Sequence, residues 1–311
     1  NERQRLAADR LIDMGPGPGE RGGTIIFDGT PEAIRKERTL TGDYLGGRRR
    51  VTDTSDWQLR PIDAATPRLR LEGAREHNLK DVTVEIPLNR LVCVTGVSGS
   101  GKSTLLQDVL YPAMARHFGK ATESPGVFRE LVGADQVDDV VFVDQSPIGK
   151  TARSNPASYV GAFDEIRKLF AKAPLALQRG YTAGTFSFNS GDGRCPTCGG
   201  SGFEHVEMQF LSDVYLRCPD CDGTRYRAEA LEVKIERAAR GQAPRALSVA
   251  DVLELTVSEA TALFESDPAV LRVLAPIADV GLEYVKLGQP VPTLSGGEAQ
   301  RIKLASELSK S

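Results

Sequence analysis

The chain has 311 residues, enough for two domains or for one domain with a large insertion. It has 40% hydrophobic and 26% charged residues, and its net charge of -3 excludes a globally basic, histone-like surface. No apolar run approaches the roughly 20 residues that span a bilayer, and the polar start of the chain has no signal-peptide pattern. We therefore expect a cytoplasmic protein with no membrane partner, in which any contact with nucleic acid comes from a local basic patch.

The first segment, residues 1–46, is predicted to be a small unit of its own. TIIFDG predicts a strand, and TPEAI predicts a short helix with Thr30 as its N-cap and Pro31 as its first residue. Residues 47–67 contain three consecutive arginines and end between prolines. We interpret them as a linker.

Residues 68–150 have the pattern of a nucleotide-binding core. LRLEGA, VTVEIP and LVCVTG predict three strands; the last is almost wholly apolar and is expected at the centre of a sheet, with Cys93 buried in it. A glycine-rich turn then leads into a helix that Pro112 is expected to disrupt. VVFVD predicts another buried strand. Residues 151–290 are interpreted as an insertion rich in helices, starting with the amphipathic ASYVGAFDEIRKLFAKA, and residues 291–311 as a final helix.

The glycine-rich turn is predicted to bind phosphate. GVSGSGKS fits the pattern G-x-x-x-x-G-K-[ST] between a predicted strand and a predicted helix, which is the context that the pattern requires. Its glycines let successive amide groups point at a phosphate, Lys102 would contact the β- and γ-phosphates, and Ser103 would bind Mg²⁺. The alternative is a chance glycine-rich loop. We predict an ATP and Mg²⁺ site that comprises Gly96, Ser98, Gly99, Gly101, Lys102, Ser103 and Thr104.

Two further groups of residues are predicted to contact the nucleotide. Ser295, Gly296, Gly297 and Glu298 begin a helix whose positive end can approach a γ-phosphate. This second motif faces outward, so it completes the nucleotide site of another half-molecule, as in ATP-binding-cassette (ABC) proteins. Gln145 follows the strand VVFVD; it is either a surface residue or a catalytic residue that binds Mg²⁺ or the attacking water. The predicted fold is α/β, an ABC-type P-loop ATPase cassette with an inserted helical signature domain and a metal-binding module.

Four of the five cysteines form two pairs, Cys195 with Cys198 and Cys218 with Cys221. This spacing indicates metal ligation in a reducing compartment, and four thiolates around Zn²⁺ would make a closed structural site, with free thiols as the alternative. The module is expected over about residues 186–227, with a strand hairpin between the pairs. Basic and aromatic residues surround it, a combination that suits DNA as well as a solvated helix face.

Several long motifs resemble those of the UvrA family, the A components of the excinuclease ABC complex. They are GVSGSGKSTL, DQSPIGKTARSNPASYVGAFDEIRKLF, GTFSFN, GRCPTCGGSGF, VEMQFLSDVYLRCPDCDGTRY and DVGLEYVKLGQPVPTLSGGEAQRIKLASEL. Residues 1–46 resemble the tail of that family's first nucleotide-binding domain. The resemblance covers nearly the whole chain.

The resemblance implies a dimeric ABC-type ATPase that recognises DNA damage in nucleotide excision repair and passes damaged sites to the B component of the excinuclease. It also implies that Lys102 and Ser103 form the phosphate site of the second cassette, that Gln145 is its Q-loop, that the four cysteines hold Zn²⁺, and that Lys150 and Arg153 meet double-stranded DNA. Because the sequence contains no Walker B strand and no switch histidine, we expect ATP binding, with hydrolysis requiring those missing parts.

Three alternatives are kept. Asp192 stands where repair members of the family carry a basic residue, which resembles paralogues linked to tolerance of DNA-damaging compounds. The chain could instead be a zinc- and DNA-binding module that does not hydrolyse ATP. A transporter or translation-associated ABC protein is the third alternative, but it predicts neither a zinc site nor a long insertion.

Overall fold

The computed structural model describes residues 7–50, 60–144, 146, 148–149, 153–206 and 214–309. The chain divides into two compact units. Residues 50–142 form the first, here called the core unit, and residues 1–49 together with 143–311 form the second, here called the helical unit. Each unit has its own buried hydrophobic residues.

The N-terminal part of the helical unit begins with an antiparallel hairpin, β1 (Leu11–Gly15) and β2 (Thr24–Gly29). A 3₁₀ turn joins the strands, and two short helices follow: α1 (Pro31–Ile34) and α2 (Leu40–Leu45). Thr30 caps α1, because its side chain accepts a hydrogen bond from the amide of Ala33 and Pro31 is the first helical residue. The predicted strand and cap are confirmed.

The core unit is built on a small antiparallel sheet with the order β4-β3-β5. Its strands are β3 (Arg68–Ala74), β4 (Val82–Pro87) and β5 (Glu130–Val132), so the predictions for LRLEGA and VTVEIP are confirmed. Leu69 and Leu71 of β3 are buried, with Leu71 packing in one cluster with Leu105 and Val109 of the helix that follows the glycine-rich turn. Packing against this helix is what fixes one face of the sheet.

The helix after the glycine-rich turn changes its winding at Pro112. Residues Thr104–Leu110 form a π-helix that continues directly into α3 (Tyr111–His117). Pro112 lies in the first turn of α3, where its missing amide hydrogen is tolerated. Just before it, the amide of Tyr111 donates to Leu106 O, five residues back, which is the hydrogen bond of a π-helix. The expectation that Pro112 disrupts the helix was therefore only half right: the helix changes type but does not end.

Two predicted strands are wrong. Residues 91–96 (LVCVTG) and 140–144 (VVFVD) have no regular secondary structure, and Cys93 is exposed where it was expected to be buried. An apolar strand is stabilised in a sheet centre only when neighbouring strands complete its hydrogen bonds and cover both its faces. None of the sheets in the described parts of the chain includes a strand that pairs with either segment.

The rest of the helical unit packs short helices around one hydrophobic core. Helices α4 (Pro156–Tyr159), α5 (Ala162–Ala171) and α6 (Pro174–Gln178) come first. The predicted amphipathic helix is confirmed in its buried face, because Val160, Phe163, Ile166 and Phe170 are buried. The helix is divided at Gly161, whose φ of +83° lies in the left-handed region.

The remaining elements carry the cysteine region and the C-terminal helices. An antiparallel hairpin of β6 (Phe203–Val206) and β7 (Val214–Arg217) lies between the cysteine pairs, as predicted. The following elements are α7 (Ala228–Leu231), the antiparallel pair β8 (Ile235–Arg237) and β9 (Arg245–Leu247), α8 (Val249–Glu254), α9 (Val257–Leu263), α10 (Pro268–Asp279), a 3₁₀ turn (Val291–Thr293) and α11 (Gly296–Leu308). In the described part of the chain, no helix is both long and apolar enough to cross a membrane.

Candidate nucleotide and metal sites

The glycine-rich turn has a backbone that its glycines make possible. Gly99 (φ +78°) and Gly101 (φ +91°) both lie in the left-handed region, which other residues adopt only with strain. A side chain at Gly101 would also approach Leu79 Cδ2 to 2.9 Å and Asn78 Oδ1 to 3.0 Å. Asn78 in turn donates from Nδ2 to Gly99 O at 2.9 Å, so it holds the turn from outside.

Lys102 lies across this turn. Its Nζ donates to Gly96 O at 3.0 Å and to Val97 O at 2.8 Å. Ser103 and Thr104 follow at the start of the helix, and Leu105 donates its amide to Gly101 O at 2.9 Å. The turn therefore presents an ammonium group and the amino end of a helix together, which is a suitable surface for a phosphate.

The predicted signature motif begins α11 with a capping box. Ser295 Oγ accepts a hydrogen bond from the amide of Glu298, and Glu298 Oε2 accepts one from the amide of Ser295 at 2.8 Å. Tyr284 donates its hydroxyl to Glu298 Oε1 at 2.6 Å. Burial opposes ionisation of Glu298, but the hydrogen bonds from Tyr284 and Ser295 outweigh it and lower the pKa of this carboxyl group.

The two glycines of the motif leave the amino end of α11 open. A Cβ atom placed on Gly296 or Gly297 would have no atom of the described residues within 4 Å. Space is thus open beside the first turn of α11, and the predicted approach of an anion to its amide groups stays a prediction.

Gln145 lies outside the described residues, but the residues on either side of it are bound to α11. Lys303 of α11 donates from Nζ to Asp144 Oδ1 and to Ser146 Oγ, the latter at 2.6 Å. Ser146 also donates its hydroxyl to Asp144 Oδ1 at 2.7 Å. The hydrogen bond from Lys303 is the largest influence on Asp144 and lowers the pKa of its carboxyl group.

The four cysteines converge, although two strands separate the pairs in sequence. Their Sγ atoms all lie within 4.8 Å of one another, with Cys195 Sγ 3.9 Å from Cys218 Sγ and Cys198 Sγ 3.7 Å from Cys221 Sγ. Four sulfurs at about 2.3 Å from one tetrahedral Zn²⁺ would be about 3.8 Å apart. All four are free thiols, and three of them are buried. The donor set and its spacing fit zinc.

The backbone around the first cysteine pair supports a thiolate. The amide of Gly202 donates to Cys198 Sγ at 3.3 Å. Burial opposes ionisation of Cys198, but the amide groups of Gly202 and Gly200 outweigh it and lower the pKa of this thiol to about 7. Between the two pairs, the Thr197 hydroxyl donates to the Asp220 carboxylate and joins them outside the cluster.

Comparison with known proteins covers the whole chain, although no protein-family model matches it. The chain is 51% identical to UvrABC system protein A of Thermus thermophilus over 316 aligned residues, 100% of this chain and 31% of that protein. It is 50% identical to UvrABC system protein A of Staphylococcus aureus over 305 residues, 98% of this chain and 31% of that protein. The crystal structure of UvrA2 from Deinococcus radiodurans matches it with a TM-score of 0.86 and 46% identity, over 99% of this chain and 35% of that one.

The chain belongs to the UvrA family. It spans about a third of the length of the curated relatives that it matches.

Of the two residues predicted to meet DNA in this UvrA-family chain, one can be located. Arg153 is half-buried, and its guanidinium group lies beside the first cysteine pair, because a Cβ on Gly199 would be 3.0 Å from Arg153 Nη2. Lys150 lies outside the described residues. Arg153 therefore adjoins the metal module in space although about forty residues separate them in sequence.

Arg225 is one of the basic residues flanking the cysteines that the sequence grouped as suited to DNA contact, but the structure buries it within this UvrA-family module. Its carbonyl oxygen accepts the amide of Cys195 at 2.9 Å, its Nη2 donates to Gly288 O at 3.0 Å, and its guanidinium group lies 5.1 Å from the centre of the Phe188 ring. Burial lowers the pKa of Arg225, while the nearby negative charge of Glu254 opposes that change. Nothing in the sequence indicated its burial or its hydrogen bond to Gly288 O.

Proposed function

We propose that this chain is the part of a UvrA-type, ABC-class ATPase that binds ATP with Mg²⁺ and double-stranded DNA during recognition of DNA damage in nucleotide excision repair. The observation that carries the proposal is the presence, in one UvrA-family chain, of a phosphate-binding turn, a signature helix and a four-cysteine cluster. The turn offers Lys102 and a helix start to the phosphates, and Ser103 is the residue of the motif that binds Mg²⁺.

The signature helix is assigned to the nucleotide site of a second half-molecule. Gly296 and Gly297 leave its amino end accessible, and Ser295 holds the first turn in place. Gln145 is assigned to the chain's own nucleotide site, between two residues that Lys303 fixes to the same helix. In a dimer, the amino end of α11 would therefore contact the triphosphate of the second half-molecule.

The cysteine cluster is assigned to structural zinc. Four sulfurs complete a tetrahedral shell, so no position remains for a catalytic water. The bound ion would fix the two cysteine turns, and with them the hairpin β6–β7, next to Arg153. Arg153 and Lys150 would neutralise DNA phosphates there, the B component of the excinuclease would receive the damaged site, and the protein would act in the cytoplasm.

The nucleotide site is tested by Lys102→Ala, with binding of a fluorescent ATP analogue as the measurement. We expect affinity to fall by about 100-fold or more, since charge-assisted contacts to the phosphates are lost. Lys120→Ala is the matched control, because it removes another lysine of the core unit that lies outside the turn. Equal affinity in Lys102→Ala and Lys120→Ala would show that nucleotide does not bind at this turn.

A further inference from the structure

Arg225 is a charged residue in an unusual place. Only 4% of it is exposed, and its Nη1 atom is buried without a hydrogen-bond partner in the described residues. Burying a guanidinium group is costly unless a negative charge compensates it. No carboxylate of the described chain forms an ion pair with Arg225, although many surface arginines of this protein have one. The carboxylate whose charge acts on Arg225 is that of Glu254, but it forms no ion pair with Arg225 and is itself paired with Lys286. A further compensating charge can come from another kind of group.

The cysteine cluster supplies such a charge when it holds zinc. Four thiolates around one Zn²⁺ carry a net charge of about -2. Arg225 is attached to this cluster through the hydrogen bond from the Cys195 amide to its carbonyl oxygen. Its side chain passes directly over the cysteine turns, because a Cβ on Gly202 would lie 3.1 Å from Arg225 Cγ. The backbone of Arg225 and the aliphatic part of its buried side chain thus adjoin the turns of a group that is anionic in its metal-bound form.

The same side chain reaches the segment that leads to the signature helix. Arg225 Nη2 donates to Gly288 O, and the amide of Gly288 donates to Leu253 O at 2.7 Å. A little further on, the amide of Val291, the first residue of the 3₁₀ turn that precedes Ser295, donates to Ser154 O at 2.9 Å. The segment 286–294 is therefore held by the metal module through Arg225, by α8 and by the residues that follow Arg153.

We propose that Arg225 is a positioning residue with two roles: it balances the charge of the zinc-bound cysteine cluster, and it fixes the segment 286–294 to that cluster. The proposal deepens the function proposed above, on whose zinc assignment it rests. Metal binding then orders not only the cysteine turns but also the approach to the signature motif. If the metal module moves on DNA, the hydrogen bond from the Arg225 guanidinium group to Gly288 O would transmit that movement to the segment before Ser295.

The charge role is tested by retention of zinc against a chromogenic chelator in the purified protein. Arg225→Met keeps much of the side-chain volume but removes the charge, and we expect the apparent zinc affinity to fall at least about tenfold. Arg225→Lys keeps the charge and should stay within about threefold of the original protein. Arg217→Met is the control, since Arg217 adjoins Cys218 but is exposed. Unchanged zinc retention in Arg225→Met would overturn the charge role.

The positional role is tested by hydrogen–deuterium exchange of peptides from the segment 286–294. In the original protein, removal of zinc should accelerate exchange there. In Arg225→Lys with zinc bound, exchange should already be accelerated, because the shorter fork-less side chain cannot stack on Phe188 and reach Gly288 O together. Peptides from α10 serve as the reference for general unfolding in every variant.

The outcomes separate this proposal from the wider function. If exchange in the segment 286–294 is the same with and without zinc, the link through Arg225 is wrong even where ATP and DNA bind normally. If the original protein binds no zinc under any condition, the zinc assignment of the proposed function fails, and Arg225 loses the charge that it was proposed to balance.

Discussion

At the scale of single residues, short polar side chains decide where the helices near the candidate sites begin. Ser248, Thr256 and Ser295 each form a capping box with an acidic residue three positions on. Each box satisfies amide groups that a helix start would otherwise leave unpaired. At Ser295 this arrangement has a functional consequence, because the same residue belongs to the signature motif. The serine that fixes the first turn of α11 is also a residue of the proposed phosphate contact.

The capping box at Ser295 predicts a pH dependence of stability. Because the folded state lowers the pKa of Glu298 below its usual value of 4.5, the unfolded chain binds this proton first as the pH falls. The stabilisation by ionised Glu298 is therefore complete above about pH 4.5, the unfolded value, and is lost as the pH falls through the lower folded value.

This prediction is checked by the free energy of unfolding in urea at pH 7 and at successively lower pH. Glu298→Gln should be less stable than the original protein by about 1 kcal/mol at pH 7, a magnitude limited by the partial exposure of the carboxylate. The difference should shrink towards zero in acid. Glu229→Gln, a change on the exposed side of α7, is the control. If the difference in the free energy of unfolding between the original protein and Glu298→Gln stays constant with pH, the ionised form of Glu298 does not stabilise the fold.

At the scale of elements, local sequence patterns were sufficient to predict a helix or strand when the residues that begin and end it are part of the pattern. Thr30 before Pro31, the strands β3 and β4, and the hairpin between the cysteine pairs were all predicted from short stretches. The strand predicted for residues 91–96 was wrong because an apolar segment forms a strand only when neighbouring strands pair with it. In the described parts of the chain, no sheet contains a strand that pairs with this segment. Periodicity alone cannot supply such neighbours.

The candidate sites divide in the same way. The glycine-rich turn and the cysteine pairs were predictable because their chemistry requires a fixed local spacing. The contacts of Asn78, Lys303 and Arg225 were not, since each acts on a partner that is distant in sequence: Gly99, Asp144 and Gly288 respectively. A single sequence contains no spacing that joins such pairs.

The cysteine turns lead to a prediction about one glycine. Gly200 has a φ of +87°, and a Cβ there would lie 2.0 Å from Phe188 O, so a side chain cannot be accommodated without moving the backbone. We expect Gly200→Ala to lose most of its zinc, with a destabilisation of about 1–3 kcal/mol. Metal content after dialysis, measured by mass spectrometry, provides the check.

Gly241 offers a matched control for Gly200. Its φ of +77° is similarly left-handed, but a Cβ there would have no described atom within 4 Å. Gly241→Ala therefore carries the backbone strain without the clash and without proximity to the cysteines. Full zinc content in both variants would mean that the close approach of the cysteine turn to Phe188 is unimportant for metal binding.

At the scale of the whole molecule, the candidate sites are distributed between the two units. The phosphate-binding turn belongs to the core unit, whereas the signature helix and the cysteine cluster belong to the helical unit. Within the helical unit, the signature helix is joined to Asp144 by Lys303, and the metal module is joined to the segment 286–294 by Arg225. Both links have one partner within ten residues of Ser295, so the proposed DNA contact and the proposed nucleotide contact of this unit would be joined through α11 and the segment before it.

The location of DNA on this molecule gives the last prediction. The net charge is -3, so attraction to DNA has to come from a confined group of basic residues, and Arg153 beside the cysteine turns is the one that the structure locates. We expect Lys150→Glu combined with Arg153→Glu to weaken DNA binding at least about tenfold and to reduce the slope of log affinity against log salt by about 2. Fluorescence anisotropy with a labelled duplex at several salt concentrations measures both quantities.

The control, Arg240→Glu combined with Arg245→Glu, makes the same change in net charge at two exposed arginines near the β8–β9 turn. Long-range repulsion of DNA increases equally in the two double variants, so only a local contact at Lys150 and Arg153 would lower the affinity and the salt slope more in their variant. Equal losses of DNA affinity in the two variants would place DNA elsewhere on the surface.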